Sequence, residues 1–229
     1  MNPTPHPERE TSRGGRAVSL DAAAVSGVVF AVLFVIATSL MRSSAPAWDA
    51  STTELTAAFS NEDLQWRVLL GFTLTPFVAA AFLWFVAVLR RRIPPQDQFV
   101  STVFITGSTT WIALYLIAVS LVGGPFYIEA AHPGFGIDAD MIQTLRSVSY
   151  ALVFVVGIRV QVLIILSATS VARTHGAFPQ WLIWFGYLVA AVQVLNLTLF
   201  EPLIYTFPIW VLAVSVTMAR RQRSIVTPT

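Results

Sequence analysis

Long apolar runs, separated by shorter polar stretches, fill most of this chain. Six of these runs come close to the roughly 20 residues that an α-helix needs to cross a bilayer core of about 30 Å. They cover residues 18–41, 68–89, 102–122, 148–171, 181–200 and 202–218. The pattern predicts an all-α integral membrane protein, a bundle of six transmembrane helices.

The two ends of the chain differ from this apolar middle. The first 17 residues contain three prolines, two adjacent glycines and charges of both signs, a composition typical of a disordered tail. The last ten residues carry three arginines. We therefore predict a disordered cytoplasmic tail at 1–17, a six-helix transmembrane domain at 18–219 and a basic cytoplasmic tail at 220–229.

Composition supports a membrane protein and excludes several kinds of chemistry. Hydrophobic residues make up 55% of the chain and charged residues 11%, and the mean hydropathy is +0.70. The absence of cysteine excludes disulfides, thiolate catalysis and cysteine-ligated metals. The three histidines, His6, His132 and His175, all lie outside the apolar runs, so we expect neither haem nor another cofactor, and no metal site.

The arginines indicate the orientation, because cytoplasmic loops of membrane proteins are enriched in basic residues. Counting on alternate sides of the six runs places three arginines on one side, namely Arg42, Arg67 and Arg146. The other side receives ten, namely Arg9, Arg13, Arg16, Arg90, Arg91, Arg92, Arg173, Arg220, Arg221 and Arg223. Both termini are therefore predicted in the cytoplasm. Arginines used in this way form no basic face, so nucleic acid is not an expected partner.

A competing interpretation takes the first apolar run as a signal peptide. Ala45, Pro46 and Ala47 resemble a small-residue cleavage site after that run. However, the run is longer than the usual apolar core of a signal peptide, and its removal would leave an odd number of spans. We therefore favour a membrane helix.

Two polar segments on the side opposite the termini carry helix-start signals. Ser51 and Glu54 have the spacing of a capping box, which predicts a short helix at the membrane interface. Asp138 is placed to cap a long helix that begins outside the bilayer and continues into the fourth span. Both segments contain several acidic residues, and one hypothesis is that they meet a protein partner.

Arg159 stands out because it lies within the fourth apolar run, where a charged side chain is costly. We expect it to face the bundle interior and to find a polar partner there. The fifth run offers Gln193 and Asn196, three positions apart on one helix face, and Glu201 follows at the end of that run. These four residues form the candidate polar cluster. Gln161 points about 200° away from Arg159 on the same helix, which predicts a different contact.

Two interpretations of this cluster remain open. Arg159 is either a structural tie between the fourth and fifth spans, or it binds an anion, a lipid headgroup or a carboxylate. The first functional hypothesis is a non-enzymatic accessory or lipid-interacting membrane protein. The second is a small transporter or anion-binding protein, and the third is a membrane enzyme that acts at the outer interface through Glu129 or Glu201. Membrane lipid is the expected partner, with a membrane protein or a second copy of the chain as a further hypothesis.

Three apolar segments carry a resemblance to a known family. The segments at 82–85, 179–182 and 207–212, with the sequences FLWF, PQWL and FPIWVL, resemble those of a family of actinobacterial multi-pass membrane proteins. The resemblance covers most of the chain from the second span onward and implies the bacterial plasma membrane. No biochemical activity is established for that family, so the resemblance adds no catalytic residue.

Overall fold

Helices form every long element that the computed structural model of this chain describes. The structure describes residues 11–44, 51, 53–54, 57, 61–91, 93–132, 138–195 and 201–226. The longer helices within these residues are α1 Thr11–Ser44, α2 Glu62–Arg90, α3 Gln98–Ala131, α4 Ala139–Tyr150, α5 Ile158–Thr174, α6 Gln180–Leu195 and α7 Thr206–Val226. A π-helical turn at Ala151–Gly157 joins α4 to α5. Short 3₁₀ turns at Pro95–Asp97 and Glu201–Tyr205 precede α3 and α7.

Several of these helices have the length and composition of membrane spans. Among the described residues five stretches qualify, namely Ala24–Ser43, Glu62–Arg90, Gln98–Ala131, Ala139–Thr174 and Pro202–Arg221. Helix α6 is also apolar but has 16 residues, and residues 196–200 of the predicted fifth span lie outside the described part of the chain. The all-α class is therefore confirmed, whereas the number of spans and their orientation stay predictions.

Helix α1 begins at Thr11, before the predicted start of the first span at Val18. Residues 11–17, which we expected in a disordered tail, are thus helical, and residues 1–10 lie outside the described part of the chain. Once a helix is nucleated, each added residue gains a backbone hydrogen bond. The two glycines in this segment disfavour the helix by about 1 kcal/mol each relative to alanine. This cost is too small to end the helix.

Capping hydrogen bonds confirm the predicted helix starts. Ser51 donates from its backbone N–H and its hydroxyl to Glu54 Oε2 over 2.8 and 3.0 Å. The Glu54 N–H donates back to Ser51 Oγ over 3.3 Å, which completes the capping box. The Asp138 carboxylate accepts from the Asp140 N–H and starts the helix that continues through the π turn to Thr174.

The helices pack around an aromatic core. Helix α1 lies against α2 and α7, α2 against α3, α3 against α5, and α5 against α6. At the centre, the Trp111 ring centroid lies 4.8 Å from those of Phe82 and Phe207. Phe30 lies 5.0 Å from Phe82, and Phe34 lies beside Tyr115. Such pairs contribute about 0.5–1.5 kcal/mol each beyond the burial of area, so the middle of the bundle is a packed apolar cluster.

Candidate functional site

Gln161 and Arg159, two positions apart on α5, lie on opposite sides of that helix. Gln161 is 2% exposed and faces the bundle, whereas Arg159 is exposed on the outer surface. Residues two apart on an α-helix point about 200° apart, which accounts for the separation. The expectation that Arg159 faces the bundle interior is therefore wrong, and Gln161 occupies the interior position.

Arg159 can stay outside because it finds its partners on its own helix. Its Nη1 donates to Phe154 O over 3.0 Å and to Val155 O over 2.7 Å. In a regular α-helix the Ile158 N–H would bond to Phe154 O, but here it bonds to Val153 O, as in a π-helix. The π turn thus releases the Phe154 carbonyl from its helical donor, and the guanidinium of Arg159 takes it.

Glycine suits the end of this π turn because the backbone approaches closely there. A Cβ built on Gly157 would lie 3.0 Å from Leu152 O, tighter than an ordinary contact. The obstacle is a backbone atom, so a larger residue would have to move the helix itself. Gly157 therefore supports the geometry that frees the Phe154 carbonyl for Arg159.

Some N–H donors of the Arg159 guanidinium are not used within the described residues. Nη1 is engaged by the two carbonyls, and no acceptor from the described residues bonds to Nε or Nη2. These two nitrogens form one planar edge with two parallel N–H groups, a geometry that matches two oxygens of a phosphate or a carboxylate. The site therefore consists of a cation held in one orientation, with a bidentate edge that no described residue occupies.

On the inner side, Gln161 belongs to a buried amide network. Gln193 donates from Nε2 to Gln161 Oε1 over 2.9 Å and to Thr206 Oγ1 over 3.0 Å. The Thr206 hydroxyl in turn donates to Leu203 O over 2.7 Å. This network joins α5, α6 and α7. Within the described residues, the buried Gln193 Oε1 has no hydrogen-bond partner, which costs about 1–3 kcal/mol.

A small cavity lies beside the amide network. It has a volume of about 10 Å³ and is bordered by Trp111, Tyr115, Gly157 and Gln161. This is room for about one water molecule. Three aromatic side chains, Phe34, Trp111 and Tyr115, border this cavity.

Of the predicted polar cluster, the described part of the structure shows the side chains of Arg159 and Gln193, and these lie apart. Arg159 and Gln193 bond to different groups, so Gln193 is not the hydrogen-bond partner of Arg159 in the structure. Asn196 and the side chain of Glu201 lie outside the part that the structure describes, and their role stays a prediction. Sequence reasoning separated Gln161 from Arg159 correctly but did not pair it with Gln193. A signal was present, because Gln161 is the only amide side chain in the fourth apolar run.

A second polar cluster joins segments at the other end of the bundle. His175 Nε2 lies 2.5 Å from Asp97 Oδ2 and links the end of α5 to the turn before α3. Arg221 of α7 donates from Nη1 to Ala177 O over 2.7 Å. These groups are partly or fully exposed, and exposed ion pairs contribute about 0–1 kcal/mol. We interpret this cluster as a connection between loops.

Neither metal chemistry nor similarity to other proteins identifies the site. Among the described residues no group of three or more His, Asp or Glu side chains is placed to hold a metal ion. Comparison of the chain with models of known protein families, with curated proteins and with solved structures finds no match in any of the three. The resemblance to an actinobacterial family stays a prediction, and the function has to be argued from geometry.

Proposed function

We propose that this chain is a six-span protein of the bacterial plasma membrane with both termini in the cytoplasm. The five long apolar helices support this topology, together with the apolar helix α6 that packs on α5. The distribution of arginines supports the orientation, with ten on the side of the termini and three on the other. The sequence resemblance supports the choice of membrane.

The absence of cysteine makes this topology directly measurable. We expect Ser51→Cys to react with a membrane-impermeant maleimide in intact spheroplasts. Gln96→Cys and Ser224→Cys should react only after the membrane is opened. The reverse labelling pattern would overturn the orientation, and labelling of Gln96→Cys and Ser224→Cys from opposite sides would overturn the number of spans.

We further propose that the protein is non-enzymatic and interacts with membrane lipid. The observation that carries this proposal is the exposed Arg159, with an unused bidentate edge, on a helix that is long and apolar enough to cross a membrane. Its exposed neighbours include Val155 and Val156 in the π turn and Leu163 and Leu166 on α5. One fixed cation on an otherwise apolar surface matches an amphipathic molecule better than a water-soluble one.

The transporter hypothesis receives less support from the geometry. It needs a hydrated path through the bundle, and among the described residues the cavity beside Gln161 has room for about one water. Arg159 also faces away from that cavity, towards the outside of the bundle. We therefore place the interaction on the outer surface of α5.

Purification in mild detergent tests the lipid proposal. We expect the wild-type protein to retain membrane lipid, measured by mass spectrometry, and to melt at a higher temperature when native lipid extract is added. Arg159→Gln should fold but gain less from the extract, whereas the exposed control variant Arg67→Gln should behave like wild type. A wild-type protein that retains no lipid and does not respond to the extract would contradict the proposal.

A further inference from the structure

The guanidinium of Arg159 lies closer to the end of the span than the position of the residue in the chain suggests. Arg173 is in the last turn of α5 and marks one membrane boundary, since arginines favour the interface. The Phe154 carbonyl, which holds the guanidinium, is 19 residues away, or about 28 Å at about 1.5 Å per residue. The hydrocarbon core is about 30 Å thick. With Arg173 placed at one boundary, the cation would lie near the headgroups of the opposite leaflet.

The direction of the side chain explains this displacement. Side chains on an α-helix point towards its N-terminus, so Arg159 reaches back to the carbonyls of Phe154 and Val155. These bonds hold the guanidinium plane in place before any ligand arrives. Little conformational freedom of the side chain is then lost when a ligand binds.

We propose that Arg159 binds the phosphodiester of a phospholipid in that leaflet through Nε–H and Nη2–H. Two parallel N–H donors match two non-bridging phosphate oxygens. Leu163 and Leu166 follow Arg159 at helical spacing towards Arg173, and both are exposed. The acyl chains lie along this apolar face. The inference rests on the proposed lipid interaction and specifies its chemistry.

The single cation also predicts which phospholipid binds best. The phosphodiester is the only charged group of phosphatidylglycerol, whereas phosphatidylcholine carries a cation next to its phosphate that competes with the guanidinium. Phosphatidylglycerol should therefore bind more tightly. Inorganic phosphate has the same oxygens but no acyl chains to lie on Leu163 and Leu166.

Binding of defined molecules to the full-length, delipidated protein in detergent tests this site. The probes are phosphatidylglycerol, phosphatidylcholine, diacylglycerol and inorganic phosphate, with native mass spectrometry and thermal shift as the readouts. We expect phosphatidylglycerol to bind the wild-type protein and Arg159→Gln to bind it about tenfold more weakly, since bonds to charged groups are involved. Arg159→Lys should be intermediate because lysine keeps the charge and lacks the planar edge. Arg173→Gln, the control at the other end of α5, should bind like wild type.

The possible outcomes distinguish failure of the phosphate site at Arg159 from failure of the general lipid proposal. Equal weakening by Arg173→Gln would indicate unspecific attraction of anionic lipid and overturn the site. Diacylglycerol that binds as well as phosphatidylglycerol would overturn phosphate recognition, and inorganic phosphate that binds alone would indicate a site for free anions. In each case the lipid proposal could survive, whereas a wild-type protein that binds no lipid would overturn that proposal too. The comparison of lipids in the wild-type protein needs no variant, so it decides the matter even where Arg159→Gln does not fold.

Discussion

Gln161 and Arg159 lie on one turn of one helix and satisfy their polar groups in opposite ways. Gln161 faces inward and accepts from Gln193, which also bonds to Thr206. Arg159 faces outward and bonds to two carbonyls of its own helix. The first interaction joins three helices, and the second joins none.

This difference shows that a polar residue within a span is not by itself a tie between helices. A buried amide needs partners from other segments, because the backbone groups of a regular helix already bond to one another. A long arginine side chain can reach back along its own helix, and the π turn supplies a released carbonyl. We therefore expect Gln161 to matter mainly for stability and Arg159 mainly for lipid binding.

Replacement of Gln161 by leucine should have the largest effect on stability. Gln161→Leu removes the acceptor of a Gln193 N–H, so a second polar group of that buried amide loses its partner. We expect the free energy of unfolding to fall by about 1–3 kcal/mol, measured by reversible denaturation in mixed micelles. Gln143→Leu, on the exposed face of α4, is the matched control and should stay within about 0.5 kcal/mol. Equal losses in the two variants would contradict a specific role of Gln161.

Removal of both amides should recover part of this loss. In the double variant Gln161→Leu with Gln193→Leu, no amide group remains buried without a partner, and exchange of both partners for apolar groups is nearly neutral. We expect the double variant to be more stable than Gln161→Leu alone, in the same denaturation assay. A loss equal to the sum of the two single losses would show that the two amides act independently.

Replacement of Arg159 should have a smaller effect on stability in the absence of lipid. The side chain is exposed and bonds only to its own helix among the described residues. We expect Arg159→Gln to change the free energy of unfolding by at most about 0.5 kcal/mol, measured in lipid-free detergent. A loss of stability as large as that of Gln161→Leu would instead indicate that Arg159 is a structural tie between helices.

The smallest expected effect is on the capping box at Glu54, which lies outside the membrane spans. The backbone N–H of Ser51, and then its hydroxyl, lower the pKa of Glu54. The capping box is therefore stabilised at pH values above the ordinary pKa of the carboxyl, and this stabilisation is lost as the pH falls through the lowered value. Ser51→Ala removes the hydroxyl and should raise the pKa of Glu54 part of the way back, which an NMR titration measures. An unchanged pKa in that variant would assign the shift to the backbone alone.

Local patterns in the sequence were sufficient to predict much of the helical framework. The capping bonds of Ser51 with Glu54, and of Asp138, were read from spacing within one helical turn. The structure extends the helix of the first span back to Thr11, into a segment rich in glycine that we had assigned to a tail. Such errors concern boundaries, where local preferences are weak and helix extension is easy.

The side on which Arg159 lies could not be predicted in the same way. The cost of a charge in lipid argued for the interior, and this reasoning omitted the Phe154 carbonyl that the π turn releases. The π turn itself was not predicted from the sequence. The pairing of Gln161 with Gln193 likewise depends on the rotation and register of two helices, which hydropathy does not report.

The sequence by itself determined the all-α class, the apolar helices and their caps, because these depend on the hydropathy and spacing of neighbouring residues. Only the tertiary structure decided which polar groups face each other. Gln161 meets Gln193 because α5 and α6 pack in one register. Arg159 remains at the surface because one shifted backbone hydrogen bond gives its guanidinium a partner on its own helix.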